Sequence, residues 1–340
     1  MMHEPLRILV PMHETLMPPD SIKGLTDQQI QPWKMEYDIL RTLEALKHEV
    51  KAVGICDRVE VLDQAIEEFR PQVVFNLVEE FHANALFSPH VASFFELKKV
   101  RYTGCNPLGM MLSNDKGLSK KILAYHGIRV PEFMVIPMKA KVRRPEGLEF
   151  PLFVKSLTDD GSVGISQASI VHNDEQLEQR VEFVRKLTGK PVIAEQYIEG
   201  KDIYVAVLGN RKLRTFTPWE LILTNLPEGA PNIATGRVKW SLGYQESVGV
   251  KTCPATLSAR EARALSRLST SIYRHLCLSG YARLDFRVDP QGRSYLLEAN
   301  PNPNLSYGED FAESAEHAGM SYEVLLQTIL ELALTYRPWK

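Results

Sequence analysis

The stretch Ala282–Ser306, ARLDFRVDPQGRSYLLEANPNPNLS, decides the reading of this chain. Alternating apolar and polar residues flank Pro290-Gln291-Gly292, the pattern of two strands joined by a tight turn. Side chains alternate faces along a strand, so Arg283 pairs in direction with Asp285, and Glu298 with Asn300. A hairpin centred on the turn sets Asp285 opposite Glu298. One surface then carries two carboxylates, a carboxamide oxygen and a guanidinium. Three hard oxygen ligands suit Mg²⁺ (or Mn²⁺), above all where nucleotide phosphates complete the shell. An arginine beside them suits an anion or a developing oxyanion. For any one of these residues a solvated charge on a surface ribbon is an equal alternative; the set of four weighs against it. Leu284, Phe286, Leu297 and Ala299 make the opposite face apolar. Asn300-Pro301-Asn302-Pro303-Asn304 cannot continue a central strand, because proline has no N–H for the ladder.

Further motifs precede the hairpin: Ser113-Asn114-Asp115-Lys116, Phe153-Val154-Lys155, Gly161-Ser162-Val163-Gly164, Glu195-Gln196-Tyr197-Ile198 and Asp202. In order and spacing the set resembles the ATP-grasp ligases, most of all their D-alanine–D-alanine ligase branch, from about Asn106 to the end. The resemblance implies an α/β fold, α+β in its C-terminal part. It implies an N-terminal Rossmann-like parallel-sheet domain and ATP bound between central and C-terminal domains. On the same basis Lys116 and Lys155 map to the phosphate lysines, Ser162 to the loop over the phosphates, and Leu297 to the nucleotide pocket. Glu195 would accept from the adenine amine. The backbone at Gln196 and Ile198, on either side of Tyr197, would meet the rest of the base edge, and Asp202 the ribose. Lys239, beside Trp240, matches a lysine that reaches the γ-phosphate from a mobile loop.

Read without the resemblance, the phosphate loop says less. Lys155 ends an apolar strand, and the small residues after it let backbone N–H groups approach phosphate oxygens. It is not a GxxxxGK[ST] loop, and an ordinary strand–turn–strand is the alternative.

The first hundred residues alternate strand and helix: strands at Leu6–Val10, Val50–Ile55, Val73–Leu77 and Arg101–Thr103, helices at Trp33–His48, Val61–Phe69 and Val91–Lys99. Such alternation predicts a parallel sheet with ligands beyond its C-terminal strand ends. Candidate substrate residues there are Glu14, Glu79 and Glu80. Helices are expected at Asp115–His126, Asp174–Thr188, Ala259–Leu278 and Ser321–Tyr336. Strands are expected at Phe133–Ile136, Leu152–Lys155, Ser166–Val171, Ile203–Leu208 and Arg214–Pro218. The expected units are 1–105, a Rossmann-like domain; 106–194, a central subdomain; and 195–340, a C-terminal subdomain with the metal site.

With 340 residues, 44% of them hydrophobic, the chain can build two or three cores. A net charge of −2 with no basic block argues against a nucleic-acid partner. Cys56, Cys105, Cys253 and Cys277 lie far apart without a CxxC pair, which argues against zinc and disulfides. The short apolar run Ile8-Leu9-Val10 reads as a first strand and not a signal peptide, and no apolar run reaches membrane-spanning length. The expectation is a cytoplasmic protein with small-molecule carboxylate and amine substrates and no membrane partner; a homodimer is one assembly this reading allows.

The chemistry expected is carboxylate activation by ATP to an acyl phosphate, then displacement of phosphate by an amine, with Arg283 on the oxyanion. The substrate side departs from the dipeptide ligases. Their Ser-Ala-Glu signature is replaced by Met12-His13-Glu14, and their His-Gly-x-x-Gly-Glu-Asp loop by Glu79-Glu80-Phe81-His82-Ala83-Asn84. Gly161 stands at the place of their substrate serine, and Glu309-Asp310 at that of a Ser-Leu pair holding a substrate carboxylate. Two acids there would repel a carboxylate and suit a cationic acceptor, a diamine or basic amino acid; solvent-facing acids on the last helix are the alternative. The dipeptide ligase itself and a nucleotide-binding module without catalysis stay open. A dinucleotide oxidoreductase would need GxGxxG after the first strand, where Val10-Pro11-Met12-His13 stands.

Overall fold

A computed structural model describes residues 4–338 apart from 160, 227–230, 234, 237, 239 and 240. The first sheet is parallel, with β1 (Arg7–His13) between β2 (Glu49–Ile55) and β3 (Val73–Val74). Its inner strand is buried on both sides: Ile8, Leu9 and Val10 have no exposed surface. The run Val73–Leu77 stays extended beyond β3, since Phe75 and Leu77 amides still donate to Leu9 and Pro11 carbonyls at 2.8 and 3.0 Å. Helical α1 (Asp27–Ile30), α2 (Lys34–Ala45), α3 (Val59–Phe69) and α4 (Ser88–Leu97) flank this part of the chain.

Next come α5 (Pro107–Asn114) and α6 (Lys116–Tyr125), then an antiparallel sheet. Its strands β4 (Phe133–Ile136), β5 (Leu152–Ser156), β6 (Ile170–Val171) and β7 (Val192–Gln196) lie in the order β4–β7–β5–β6. Helix α7 (Asp174–Thr188) covers one face with Leu177, Val181 and Val184, one helical stripe. Asn173 caps its start, and Gly189 at φ 65° ends it.

The third sheet holds β8 (Lys201–Leu208), β9 (Arg214–Thr215), β10 (Trp219–Leu223), β11 (Val250–Pro254), β12 (Tyr281–Val288) and β13 (Ser294–Pro301). The order is β11–β10–β8–β12–β13, with β9 on β8, all antiparallel. Helices α8 (Leu242–Val248), α9 (Ala259–His275), α10 (Asp310–His317) and α11 (Tyr322–Thr335) accompany it. The sequence reading misses α1, α5, β10, α8, β11 and α10. For α5 a signal is present: Asn106 is the N-cap and Pro107 the first helical residue. Helix α9 stops short of Leu278 because Cys277 adopts positive φ, 55°.

The proposed unit boundaries meet two features. β7 runs through 194/195, and the last helix packs in a core that the first and third sheets share. Leu325, Leu326 and Ile329 of α11 and Phe311 of α10 share one core with Ile8, Val10, Ile39 and Val73. The carboxyl of Glu36 is buried in α2 against this core, 2% exposed. Burial, opposed by its own backbone and reinforced by Glu79, pushes its pKa up to about 7. Since the folded value exceeds the unfolded one, the cost is absent below about 4.5 and fully present above about 7. Glu36→Gln is therefore expected to stabilise the protein at pH 8 by about 3 kcal/mol, with no gain at pH 4. Denaturation at both pH values checks this; an equal effect at both would refute it.

Candidate active site

The hairpin places its charged groups in register. Asp285 lies opposite Glu298 and Arg283 opposite Asn300. Asp289 holds the turn, its Oδ1 accepting from the Gln291 and Arg293 amides at 3.0 and 2.8 Å. The pairing then shifts: Phe286 faces Leu296, leaving Leu297 as the extra residue of a bulge. This corrects the expected apolar face. Leu296 is the one buried in the core with Leu284, Phe286 and Ala299, and Leu297 turns into a cleft. The same shift puts Leu297 in the cleft's lining beside Glu298, where the family comparison assigned it to the nucleotide.

That cleft runs between the second and third sheets. Its lining includes every proposed nucleotide residue that is described: Lys116, Lys155, Ser162, Glu195, Gln196, Tyr197, Ile198, Asp202 and Leu297. Lys239 and Trp240 lie outside the described residues. Lys116 opens α6 behind the N-cap Asp115, and its Nζ donates to the Asp159 carbonyl at 2.8 Å, 3.9 Å from Glu298. Lys155, at the end of β5, lies 3.3 Å from Glu195 Oε2. A third lysine, Lys120, lies 3.4 Å from Glu195 Oε1 and donates to the Leu297 carbonyl at 2.7 Å. The sequence reading missed it; its signal was position i+4 from Lys116, on the same helix face. Burial first, and then the Lys155 charge, bring Lys120 down to about 8 against the pull of Glu195. The Glu195 carboxylate therefore bridges two ammonium groups in this structure. Its contacts in the structure are thus with the lysines of the cleft.

The loop from Gly161 to Gly164 turns on positive φ at Gly161, Ser162 and Gly164, and Arg180 anchors it through the Gly164 carbonyl. The hinge is pinned more closely than its sequence suggests. The Gln196 amide donates to the Glu132 carbonyl at 2.7 Å and so is taken by the sheet. Of the Gln196 backbone this leaves the carbonyl for a base edge; among the described residues the Ile198 amide has no partner. Arg287, unremarked in the sequence, is 3% exposed. Its guanidinium donates to the Ile198 carbonyl at 2.9 Å, the Tyr197 hydroxyl at 3.2 Å and the Asn232 carbonyl, and sits 2.5 Å from Asp202. Asp202, expected at a ribose, is thus also the partner of a buried arginine.

A second cavity adjoins the cleft at Asp159, Gly161, Val163, Tyr204 and Glu298. Arg283, Asn300, Glu79, Glu309 and Asp310 line it. Arg283 grips Asp285 with two N–H groups at 2.8 and 2.9 Å, stacks on Tyr204 and lies 3.9 Å from Asp310. Glu309 is exposed at the cavity; partial desolvation and then Asp310 push its carboxyl above the usual range, and Lys34 and Arg283 oppose the rise. The pair sits at the start of α10 and not on the last helix. Glu14 and Glu80 do not line the cavity. Glu14 packs on Gly54 and hydrogen-bonds Cys56, and Glu80 lies 3.7 Å from His13, so both serve the loops beyond β1 and β2.

Asp285, Glu298 and Asn300 present oxygen donors beside Lys116 and Lys155, and the fold around them is ATP-grasp. Fold and site together define a ligase that forms carbon–nitrogen bonds. Residues 122–331 match the family model of the D-ala D-ala ligase C-terminus. Protein y4sG of Sinorhizobium fredii is 31% identical over 90% of each chain. A D-alanine–D-alanine ligase of Bordetella petrii is 32% identical over 70% of this chain and 69% of its own. The crystal structure of the Bacillus anthracis D-alanine–D-alanine ligase complexed with ATP has a TM-score of 0.76 at 23% identity, covering 98% of this chain and 99% of that one. The chain belongs to the D-alanine–D-alanine ligase family of ATP-grasp proteins.

Proposed function

We infer that this protein uses ATP to join a carboxylate to an amine through an acyl phosphate, releasing ADP and phosphate. The observation that carries it is the in-register pair Asp285 and Glu298, flanked by Arg283 and facing Lys116 across one cleft. Asp285, Glu298 and Asn300 would hold Mg²⁺ or Mn²⁺, which supplies charge neutralisation for the transferring phosphoryl group. Lys116 and Lys155 bind the phosphates, with Ser162 in the loop above them. The Ile198 amide meets the base edge and Asp202 the ribose. Arg283 faces the oxyanion formed when the amine adds to the activated carbonyl. In a site walled from water such a fixed charge acts without reorganising.

An inactive nucleotide-binding module is disfavoured, since both lysines, Asp285 and Glu298 line one cleft and Asn300 the cavity adjoining it at Glu298. D-alanine as both substrates is the second reading, favoured by the named activity of the relatives. ATP chemistry fits a cytoplasmic protein, and no helix among the described residues is long and apolar enough to cross a membrane. A homodimer stands with this reading and is tested by sedimentation velocity.

Phosphate release with mass analysis of the product, across a panel of acids and amines that includes D-alanine, tests the activity. Lys155→Ala and Lys116→Ala are each expected to weaken ATP binding by roughly 1–3 kcal/mol, the scale of a charge-assisted hydrogen bond. Unchanged affinity in calorimetry for both variants would displace the nucleotide from this cleft.

A further inference from the structure

Helix α6 carries two lysines one turn apart. Lys116 reaches the cleft at Glu298, whereas Lys120 is 1% exposed and lines neither cavity. The Lys120 ammonium donates to the Leu297 carbonyl at 2.7 Å and the Leu296 carbonyl at 3.3 Å, and lies 3.4 Å from Glu195 Oε1. An ammonium has three protons, and three oxygens of the protein surround this one. Lys120 therefore acts on other groups of the protein and not on a phosphate.

Those oxygens belong to two parts of the site. Leu297 is the extra residue of the bulge, and Glu298 follows it directly. A bulge residue is left without a partner opposite, and Lys120 gives its carbonyl a donor from outside the sheet. That bond bears on Glu298, because the bulge is what sets Glu298 opposite Asp285 while Leu296 faces Phe286. Glu195 stands on β7 of the second sheet, 2% exposed, in the lining of the nucleotide cleft. Its Oε2 lies 3.3 Å from Lys155. Its Oε1 is buried and, beyond the ion pair with Lys120, has no partner among the described residues, so it keeps an acceptor for a ligand N–H.

Resting on the ligase reading above, we propose that Lys120 is a positioning residue that couples the nucleotide pocket to the metal site. It ties the Glu195 carboxylate to the bulge before Glu298, so that each half holds the other in place. Divalent metal then strengthens nucleotide binding in part through Lys120, and by linkage nucleotide strengthens metal binding by the same factor.

Calorimetry on the full chain tests it, with a non-hydrolysable ATP analogue titrated once in Mg²⁺ and once in a metal chelator. The quantity that decides is the ratio of the two affinities, which Mg²⁺ is expected to raise in the wild type. Lys120→Met keeps the length of the side chain and removes the ammonium; the ratio is expected to fall tenfold or more. Glu195→Gln lies on a different sheet from the proposed metal ligands, yet should lower the ratio threefold or more, because Lys120 loses its counter-charge. In the double variant the two losses should not multiply. A merely structural lysine would change stability, and both affinities by one factor, leaving the ratio as it was. An unchanged ratio in either folded variant overturns the proposal; should Lys120→Met fold poorly, Glu195→Gln decides. If the analogue binds and Mg²⁺ enhances it equally in wild type and variants, this inference alone falls. If the analogue binds neither with nor without metal, the ligase reading falls with it.

Discussion

Glu298→Gln is expected to lower turnover by roughly 10³-fold, about 4 kcal/mol of transition-state stabilisation, with the fold kept. The substitution keeps shape and removes the charge. Glu298 is opposite Asp285 in the ladder and 3.9 Å from Lys116, so it stands between the metal oxygens and the phosphate lysine. It lines both cavities where they meet; Asp159, the other carboxylate there, is paired with Lys190. The loss should appear in kcat, and excess Mg²⁺ or Mn²⁺ should recover only part of it. A metal titration in which the variant reaches wild-type turnover would remove Glu298 from the metal site.

Arg287→Met is expected to cost about 3–5 kcal/mol of stability, the scale for a buried charge left without its partner. It strands Asp202, which is 6% exposed, and leaves the Ile198 carbonyl without its donor. Nucleotide affinity should fall as well, because the same guanidinium spans the hinge at Tyr197 and the carbonyl of Asn232. The check is a cycle with Asp202→Asn. Removing both charges should cost about 1–3 kcal/mol less than the sum of the single losses. Strict additivity in chemical denaturation would mean that the pair is not a unit.

The order of these elements was readable because local rules govern them. Period-two alternation and a short turn decide which side chains of Ala282–Ser306 share a face and which lie opposite, so Asp285 against Glu298 followed from the letters alone. Helical spacing and capping similarly marked Asp174–Thr188, and two-sided apolar runs marked the parallel sheet. Lys116 and Lys155 were found through the family resemblance, since a lone lysine before a small-residue loop is weak by itself.

Other features belong to the tertiary structure, and in each the deciding contact is remote in sequence. The bulge that turns Leu297 into the cleft and Leu296 into the core depends on packing beneath β12 and β13, which alternation cannot register. Arg287 reads as one more outward charge until β8 brings Asp202 beside it. Lys120 and Glu195 become partners only when α6 packs against the strand that carries the hinge. The packing of α11 between the first sheet, at Ile8 and Val73, and the third, at Leu208 and Tyr281, is likewise absent from local pattern. Periodicity states that a face will be buried; which surface buries it is settled by the summed area of distant apolar contacts, a quantity defined only once the chain is folded.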